Sequence, residues 1–490
     1  MPSYSSREVY QDWRYAIDKD FVTLEDKSFS FADNGRLQWG GEGKKLSFDG
    51  EHHRACASDD GKYLAVAVDK VIHVIDTDTW KTVILLRGHT SSVSGLAFKI
   101  DDSNTLVSSE NEDHDRNKEA TIIVWQVDKA KEMPASIALD GASKAAAATA
   151  HKLDQFGVNI KEDALQELQT ALNTAVSSIV ARDLVKDNVR IHGRLRTSFQ
   201  SQVFSPSGKW MVYLPGREPM SNDSAHWDIE ICSTNNLKTW LTLKGHTDAI
   251  MWMGWSPDEL RFASMAWDGS IRVWDATTGQ QMHCFKTDEQ NWTGEFSPDS
   301  RRLVATDGDG IVRVYALDDD EPLYWQCKPE GPEPWRRAVA WHPDGKLIAV
   351  GGEDHGELLM LDIDKKQVTQ RRRLSTAESR VDKKNAKQMM GDFVGVDQVQ
   401  FLDGGNKLAT WIHGDSSAEV FDISTQTKWR FARGGIEDGP DADKWRDKKG
   451  KVTSKGGHGM VAWEDQIRGK IMVASVDFDG VRIWSAPKEN

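Results

Sequence analysis

The stretch FASMAWDGSIRVWDATTGQ, residues 262–280, decides how the chain is read. An apolar strand runs into a tight turn at Asp268, a second strand ends in the pair Trp274-Asp275, and the polar turn ATTGQ follows. The same order recurs along the chain. Each copy has an apolar strand, a turn of the SPDG kind, a second strand, a tight turn, a third strand with a large residue near its end, a polar turn and a fourth strand. Third strands are read at 71–76, 122–127, 229–233, 271–276, 312–317, 358–363, 418–423 and 481–486. A four-strand unit cannot bury both faces alone, whereas units packed radially bury their faces against one another.

Composition agrees with such an array. Among 490 residues there are 39 glycines and 20 tryptophans, which supply many turns and many large apolar anchors. The formal net charge of -14 weighs against a general nucleic-acid binder, because the whole-molecule field repels phosphate. Cys56, Cys232, Cys284 and Cys327 form no CxxC pair, so neither a zinc site nor a disulfide framework is expected. Three of them lie beside apolar strand residues, which points to buried thiols. The opening MPSYSSREVYQDW has no apolar run of signal length, and no segment has the length to span a bilayer. A reducing compartment, cytoplasmic or nuclear, is therefore expected.

The recurrence of these signals in phase, with GH ahead of the first strand and WD at the end of the third, resembles the WD40 family over about residues 44–486. The resemblance implies an all-β fold, a closed β-propeller of four-stranded blades. Eight third strands imply eight blades, or seven if the weak unit around 199–240 is not a full blade. The segment KKLSFDG (44–50) is similar to the fourth strand TWLTLKG (239–245) and is expected to complete the last blade. That closure removes an exposed sheet edge. It leaves 1–43 as an N-terminal extension and 44–486 as one propeller. The family's internal hydrogen-bond tetrad falls on His246, Ser264, Asp268 and Trp274. Partial copies fall on His89, Ser108 and Trp125, and on His458, Ser475, Asp479 and Trp484. Ser, His and Asp together suggest a hydrolase triad, but they sit in a repeat with no nucleophile elbow, so the structural reading is preferred.

Turns between first and second strands, and between third and fourth strands, are short, and the resemblance puts both sets on one face. The long insertions are read on the opposite face. Those at 110–120 and 215–225 separate second from third strands, and those at 142–196, 375–396 and 434–457 follow fourth strands. Such insertions often decorate a binding face. Within 142–196, the stretch ASKAAAATAHKLDQF (142–156) has high helix propensity. Leu165, Leu168, Leu172, Val176 and Ile179 form one apolar stripe, so an α-helical insertion is expected, packed on the rim or docking a partner.

Aligned first strands put Met251, His53, Ser94, Gln200, Trp292, Arg337, Asp397 and Gly459 at the channel mouth, with Trp335 two positions before Arg337. Tryptophan and arginine anchor many protein interfaces. Trp292, Trp335 and Arg337, with Met251 and His53, are the candidate interface. The basic segment 365–387 offers a candidate patch in Arg371, Arg372, Arg373, Lys383 and Lys384, and RRRLST makes Ser375 a candidate phosphorylation site.

No HExxH, no GxxxxGK loop and no spaced ligand set occurs, so no catalytic residue, metal or cofactor is assigned. The expected function is a noncatalytic protein–protein interaction scaffold that meets other proteins, as in a multiprotein complex, through the insertion-bearing face. A propeller enzyme or small-ligand binder at the channel mouth is one alternative. Phosphate or nucleic-acid contact through 365–387 is another. No membrane association is expected.

Overall fold

The structure is a computed structural model that describes residues 30–38, 42–110, 120–128, 135–157, 161, 163–172, 188–219, 227–329, 335–352, 356–374, 395–413, 417–432, 458–466, 468–477 and 480–488. The chain forms two compact units, one of Met1–His52 with Arg196–Asn490 and one of His53–Leu195.

In the larger unit, residues 262–280 lie at the centre of a four-stranded antiparallel sheet of Ile250–Trp255, Arg261–Ala266, Ser270–Asp275 and Gln281–Lys286. The same order builds the sheet of Asn291–Phe296, Arg302–Asp307, Val312–Ala316 and Leu323–Cys327. It builds another from Arg336–Trp341, Leu347–Gly352, Glu357–Asp362 and Gln367–Arg373. Gly395–Leu402, Lys407–His413, Ala418–Asp422 and Thr427–Ala432 form a further sheet, which carries Ser30–Gln38 as a parallel strand on its outer edge. Gly459–Asp465, Lys470–Asp477 and Gly480–Pro487 are joined by Lys44–Leu46, which pairs antiparallel with Val481–Ile483. Trp210–Pro215, Trp227–Ser233 and Thr239–His246 have only the bridge Phe204–Met211 where a first strand would stand.

The turn chemistry explains why these residues stop where they do. Ser256 Oγ donates to Asp258 at 2.6 Å and accepts the Arg261 N–H at 2.9 Å, closing the turn of the SPDE segment. Ser297 and Asp299 repeat this with Arg302. At the other turn, the aspartate of the Trp-Asp pair, Asp275, accepts the N–H groups of Thr277 and Thr278 at 2.9 and 2.8 Å. Gly279 follows at φ 73°, a backbone region that favours glycine.

The core of this unit is layered between successive sheets. Trp252, Met265 and Val273 of one sheet pack with Phe296, Leu303 and Tyr315 of the next. Val304 and Val314 pack in turn with Trp341, Ile348 and Leu359. The layers leave no room for a side chain at Gly294, where a Cβ would stand 2.2 Å from Met265 Cε and 2.6 Å from the Val304 carbonyl oxygen.

The smaller unit holds the sheet of His52–Ala57, Tyr63–Val68, Val71–Asp76 and Lys81–Arg87. Beside it, Val93–Lys99, Asp102–Glu110, Thr121–Gln126 and Val189–Arg194 pair in order. Here the structure corrects the sequence reading. Val189–Arg194 is not the tail of an insertion but the fourth strand, with Val189 opposite Val124 and His192 opposite Thr121. The helical insertion therefore separates third from fourth strands, and leaves the sheet from the end opposite to the one expected. Its helix is Ala135–Gln155, which starts before residue 142, followed by a second helix over 163–172. The sequence VRIHGR does not announce a strand, because it is polar and lacks apolar alternation. Leu165, Leu168 and Leu172 are half-buried, as their stripe predicts, whereas Val176 and Ile179 lie outside the described residues.

Candidate functional site

The residues aligned as first-strand starts share a structural cause. In each of four first strands, the pairing register slips by one residue, and the extra residue is the aligned one. Met251 sits in the slip between Ile250 and Trp252, Trp292 between Asn291 and Thr293, Arg337 between Arg336 and Ala338, and Asp397 between Val396 and Gln398. Ser94 does the same in the smaller unit, between Val93 and Gly95. Such a bulge leaves one residue out of the ladder and re-aims its side chain.

Around Arg337 the bulges build a cation–aromatic cluster within the larger unit. The Arg337 guanidinium carbon lies 4.6 Å from the Trp292 ring centre and 4.7 Å from that of Trp335. Trp292 meets Trp335 at 5.3 Å, Trp267 at 5.7 Å and Phe199 at 5.6 Å between ring centres. A guanidinium between two indoles is held by cation–π attraction as well as by contact area. Trp335, Arg337, Trp267 and Phe199 are half-buried, so the cluster reaches the surface. Trp267 and Trp292 keep buried indole N–H groups with no hydrogen-bond partner among the described residues.

Two of the interface candidates are corrected here. Met251 and Trp292 are 6% and 5% exposed, so neither offers a contact surface, and Trp292 forms the floor of the cluster. Trp292 is covered by the four neighbours just named. His53 is half-buried, with Nε2 3.7 Å from Asp69. Asp397 lies 3.6 Å from His413 Nδ1.

One wall of the cluster is a turn that sequence reasoning passed over. Phe199 and Gln200 are consecutive residues with φ 54° and 61°, and Ser201 N–H closes the turn on Ser198 O at 3.1 Å. Two non-glycine residues in the left-handed region cost roughly 1–2 kcal/mol each. Bonds from distant strands hold them there. Thr293 Oγ1 donates to Phe199 O at 2.9 Å, and Gln200 Nε2 donates to Val399 O at 2.6 Å.

Beneath Arg337, strand alternation turns Arg336 into the core. It is fully buried and pairs with the equally buried Glu357 at 2.7 Å, while its Nε donates to Gly310 O at 3.1 Å. Arg371 binds the same carboxylate. This corrects the basic patch. Arg371 is committed to Glu357, and Arg372 is 5% exposed, stacked on Phe421 at 4.9 Å and drawn down to about 10 by burial. Lys365 pairs with Asp362 at 2.8 Å, and Lys366 lies over the Tyr324 ring at 3.9 Å. The arginines thus serve the sheet, since a fourth strand facing a buried glutamate needs cations. The side chain of Arg373, and Ser375, Lys383 and Lys384 altogether, lie outside the described residues.

The tetrad residues meet in one chain of bonds. Ser264 Oγ lies 2.7 Å from His246 Nε2 and accepts the Trp274 indole N–H at 3.1 Å. His246 Nδ1 lies 2.9 Å from Asp268, which also accepts the Thr247 N–H at 3.0 Å. Burial lowers the His246 pKa, so the ring is neutral at pH 7. In the smaller unit His89, Ser108 and Trp125 repeat the bonds at 2.6 and 2.8 Å. There the acid is Glu110, 3.4 Å from His89 Nδ1 and accepting the Thr90 N–H at 2.7 Å. It stands two residues after the serine and not four, and its longer side chain makes up the reach. Asp479 lies outside the described residues, and His458 Nε2 is 3.9 Å from Glu51.

Comparison with known proteins agrees with this construction. The family model "WD domain, G-beta repeat" matches residues 237–275 and 330–356. Mouse coronin-7 is 32% identical over 155 residues, which are 30% of this chain and 16% of coronin-7. The RACK1 small ribosomal subunit protein of Caenorhabditis elegans is 26% identical over 162 residues, 31% of this chain and 46% of that protein. The chain thus spans less than half the length of either. Among solved structures, Chaetomium thermophilum Sqt1 bound to the N-terminus of ribosomal protein L10 aligns with a TM-score of 0.57 at 13% identity, covering 93% of this chain and 100% of Sqt1. Phased four-stranded sheets, the His–Ser–Trp network and these matches lead to one conclusion: the chain carries WD40 repeats and has the fold of the WD40-repeat β-propellers.

Proposed function

We propose that this protein is a noncatalytic interaction scaffold, and that Trp335 and Arg337 are its contact residues for a protein partner. The observation that carries the reading is the bulge-borne arginine held between Trp292 and Trp335 at a half-exposed surface. Tryptophan and arginine presented rigidly lose little conformational freedom on binding and so act as anchors.

The end of the sheet at which Arg337 stands supports the same reading. Arg336 pairs with Gly352 and Glu357 with Arg373, so residues 353–355 and 375–394 leave from that end. Sqt1, similar in fold, is a protein seen with a segment of a partner protein bound. An intracellular setting, cytoplasmic or nuclear, goes with this function.

A photo-crosslinking amino acid in place of Trp335, compared with one in place of the exposed Trp240, tests it. Protein crosslinks at 335 that disappear in Arg337→Ala, with folding unchanged by circular dichroism, are expected. Equal crosslinking from 335 and 240 would overturn the assignment.

A further inference from the structure

Ser30–Gln38 makes its sheet five-stranded. It adds in parallel to the outer edge of a finished four-stranded sheet. The fourth strands Lys81–Arg87, Thr239–His246, Gln281–Lys286, Leu323–Cys327 and Gln367–Arg373 have no strand beyond them among the described residues. Their outward residues are those of a solvated edge, such as Lys81, Thr82, Thr239, Gln281 and Glu321-side Leu323, which are exposed. Thr427–Ala432 differs. Lys428, Trp429, Arg430 and Phe431 are each 3% exposed or less. An edge strand of that composition is a template for pairing unless it is covered.

The cover is interrupted. Ser30 and Phe31 stand opposite Thr427 and Lys428, and Arg36, Leu37 and Gln38 opposite Arg430, Phe431 and Ala432. Between these stretches, residues 32–35 (Ala-Asp-Asn-Gly) face Trp429 alone. Asp-Asn-Gly is turn chemistry, and the strand is two short ladders joined by a bulged middle. Residues 39–43 tether it to Lys44–Leu46, which belongs to a different sheet. Nothing in this arrangement requires the strand and its edge to come from one molecule.

We propose that the outer edge of Thr427–Ala432 is a strand-docking surface, and that its second occupant is the Ser30–Gln38 strand of another copy of this chain. Every copy carries the one sequence that the structure places on this edge in register. An exchanged strand makes the same backbone bonds in trans as in cis, so exchange changes little beyond the entropy of association. The tethered strand competes at an effective concentration in the millimolar range, so the exchanged pair builds up as protein concentration rises or as the cis ladder is weakened.

The test uses the full chain in a Cys284→Ser background. One copy carries Phe31→Cys, a second, distinguishable by mass, carries Lys428→Cys, and the two are mixed over a range of concentrations and mildly oxidised. A disulfide between copies whose yield rises with concentration is expected. It should fall when a peptide of residues 30–38 is added. It should rise several-fold when the Lys428→Cys copy also carries Leu37→Pro, which removes a backbone donor from its own strand. Both cysteines placed in one chain should close an intrachain disulfide, which verifies the register and shows that the variant folds. An intrachain bond with no bond between copies above that of a remote control, Phe31→Cys with Met282→Cys, overturns the proposal. So does failure of the intrachain bond, because the register would then be wrong.

Discussion

The carboxylate of Glu295 accepts the backbone N–H of Trp341 at 2.5 Å, and the Trp341 indole N–H donates to the Glu295 carbonyl at 3.1 Å. The first strands of two sheets are stapled by this reciprocal pair. Burial raises the Glu295 carboxyl from its ordinary 4.5 to about 8, although the Trp341 N–H works in the other direction. The unfolded chain therefore gives up this proton first. Stability falls as pH rises between about 4.5 and 8, and levels off above that. Glu295→Gln keeps an acceptor for Trp341 and removes the loss. Its urea midpoint should exceed that of the parent at pH 8 and match it at pH 4. A lower midpoint at pH 8 would mean that the charge itself is needed.

The tetrad gives the opposite slope. Burial lowers the His246 pKa below its ordinary 6.5. Burial alone would raise Asp268, but hydrogen bonds from His246, Ser270 and Thr247 outweigh it and hold that carboxyl well below its ordinary 3.8. In both cases the unfolded state takes up the proton first, so stability drops as pH falls below 6.5 and again below 3.8. Asp268→Asn should flatten the lower part of this acid limb in a pH series of thermal melts, at the cost of a lower plateau at pH 7.

Ser264→Ala strands two partners at once, the Trp274 indole and a neutral His246. A loss of about 1–3 kcal/mol is expected from chemical denaturation. Ser108→Ala should cost a similar amount in the smaller unit, where the same two bonds are made. A change below about 0.5 kcal/mol at both serines would show that the network is not a stability element.

Gly294→Ala should also destabilise, by about 1–3 kcal/mol, because the added methyl meets the backbone of Val304 as well as the flexible end of Met265. Met265→Ala in the same chain relieves only the side-chain part of the clash. Full rescue by it would show that the backbone contact is unimportant.

What could be read in the sequence tracks how local its cause is. The eight segments read as third strands are all strands, because each combines an apolar run with a capping aspartate or turn within a few residues. Met251, Trp292, Arg337 and Asp397 could be found by alignment because a bulge recurs at one place in the repeat. Exposure could not be found that way. Whether Trp292 is floor or surface depends on Phe199, Trp267, Trp335 and Arg337, which come from three separate stretches. Arg371 and Arg372 looked like a solvated basic run because Glu357 and Phe421 lie on other strands. Val189–Arg194 is not legible because VRIHGR carries no apolar alternation, and Glu110 is not because a longer acid reaches the histidine from a different position.

The left-handed pair Phe199-Gln200 carries a consequence for the order of assembly. Its anchors, Thr293 and Val399, are 94 and 199 residues away in the chain, so the turn has no local reason to form. It can settle only once the strands bearing those anchors are in place. Gln200→Ala should then leave the refolding rate unchanged and speed unfolding, as expected for a contact absent from the transition state. In stopped-flow traces the residue would mark the last latch to engage and the first to release.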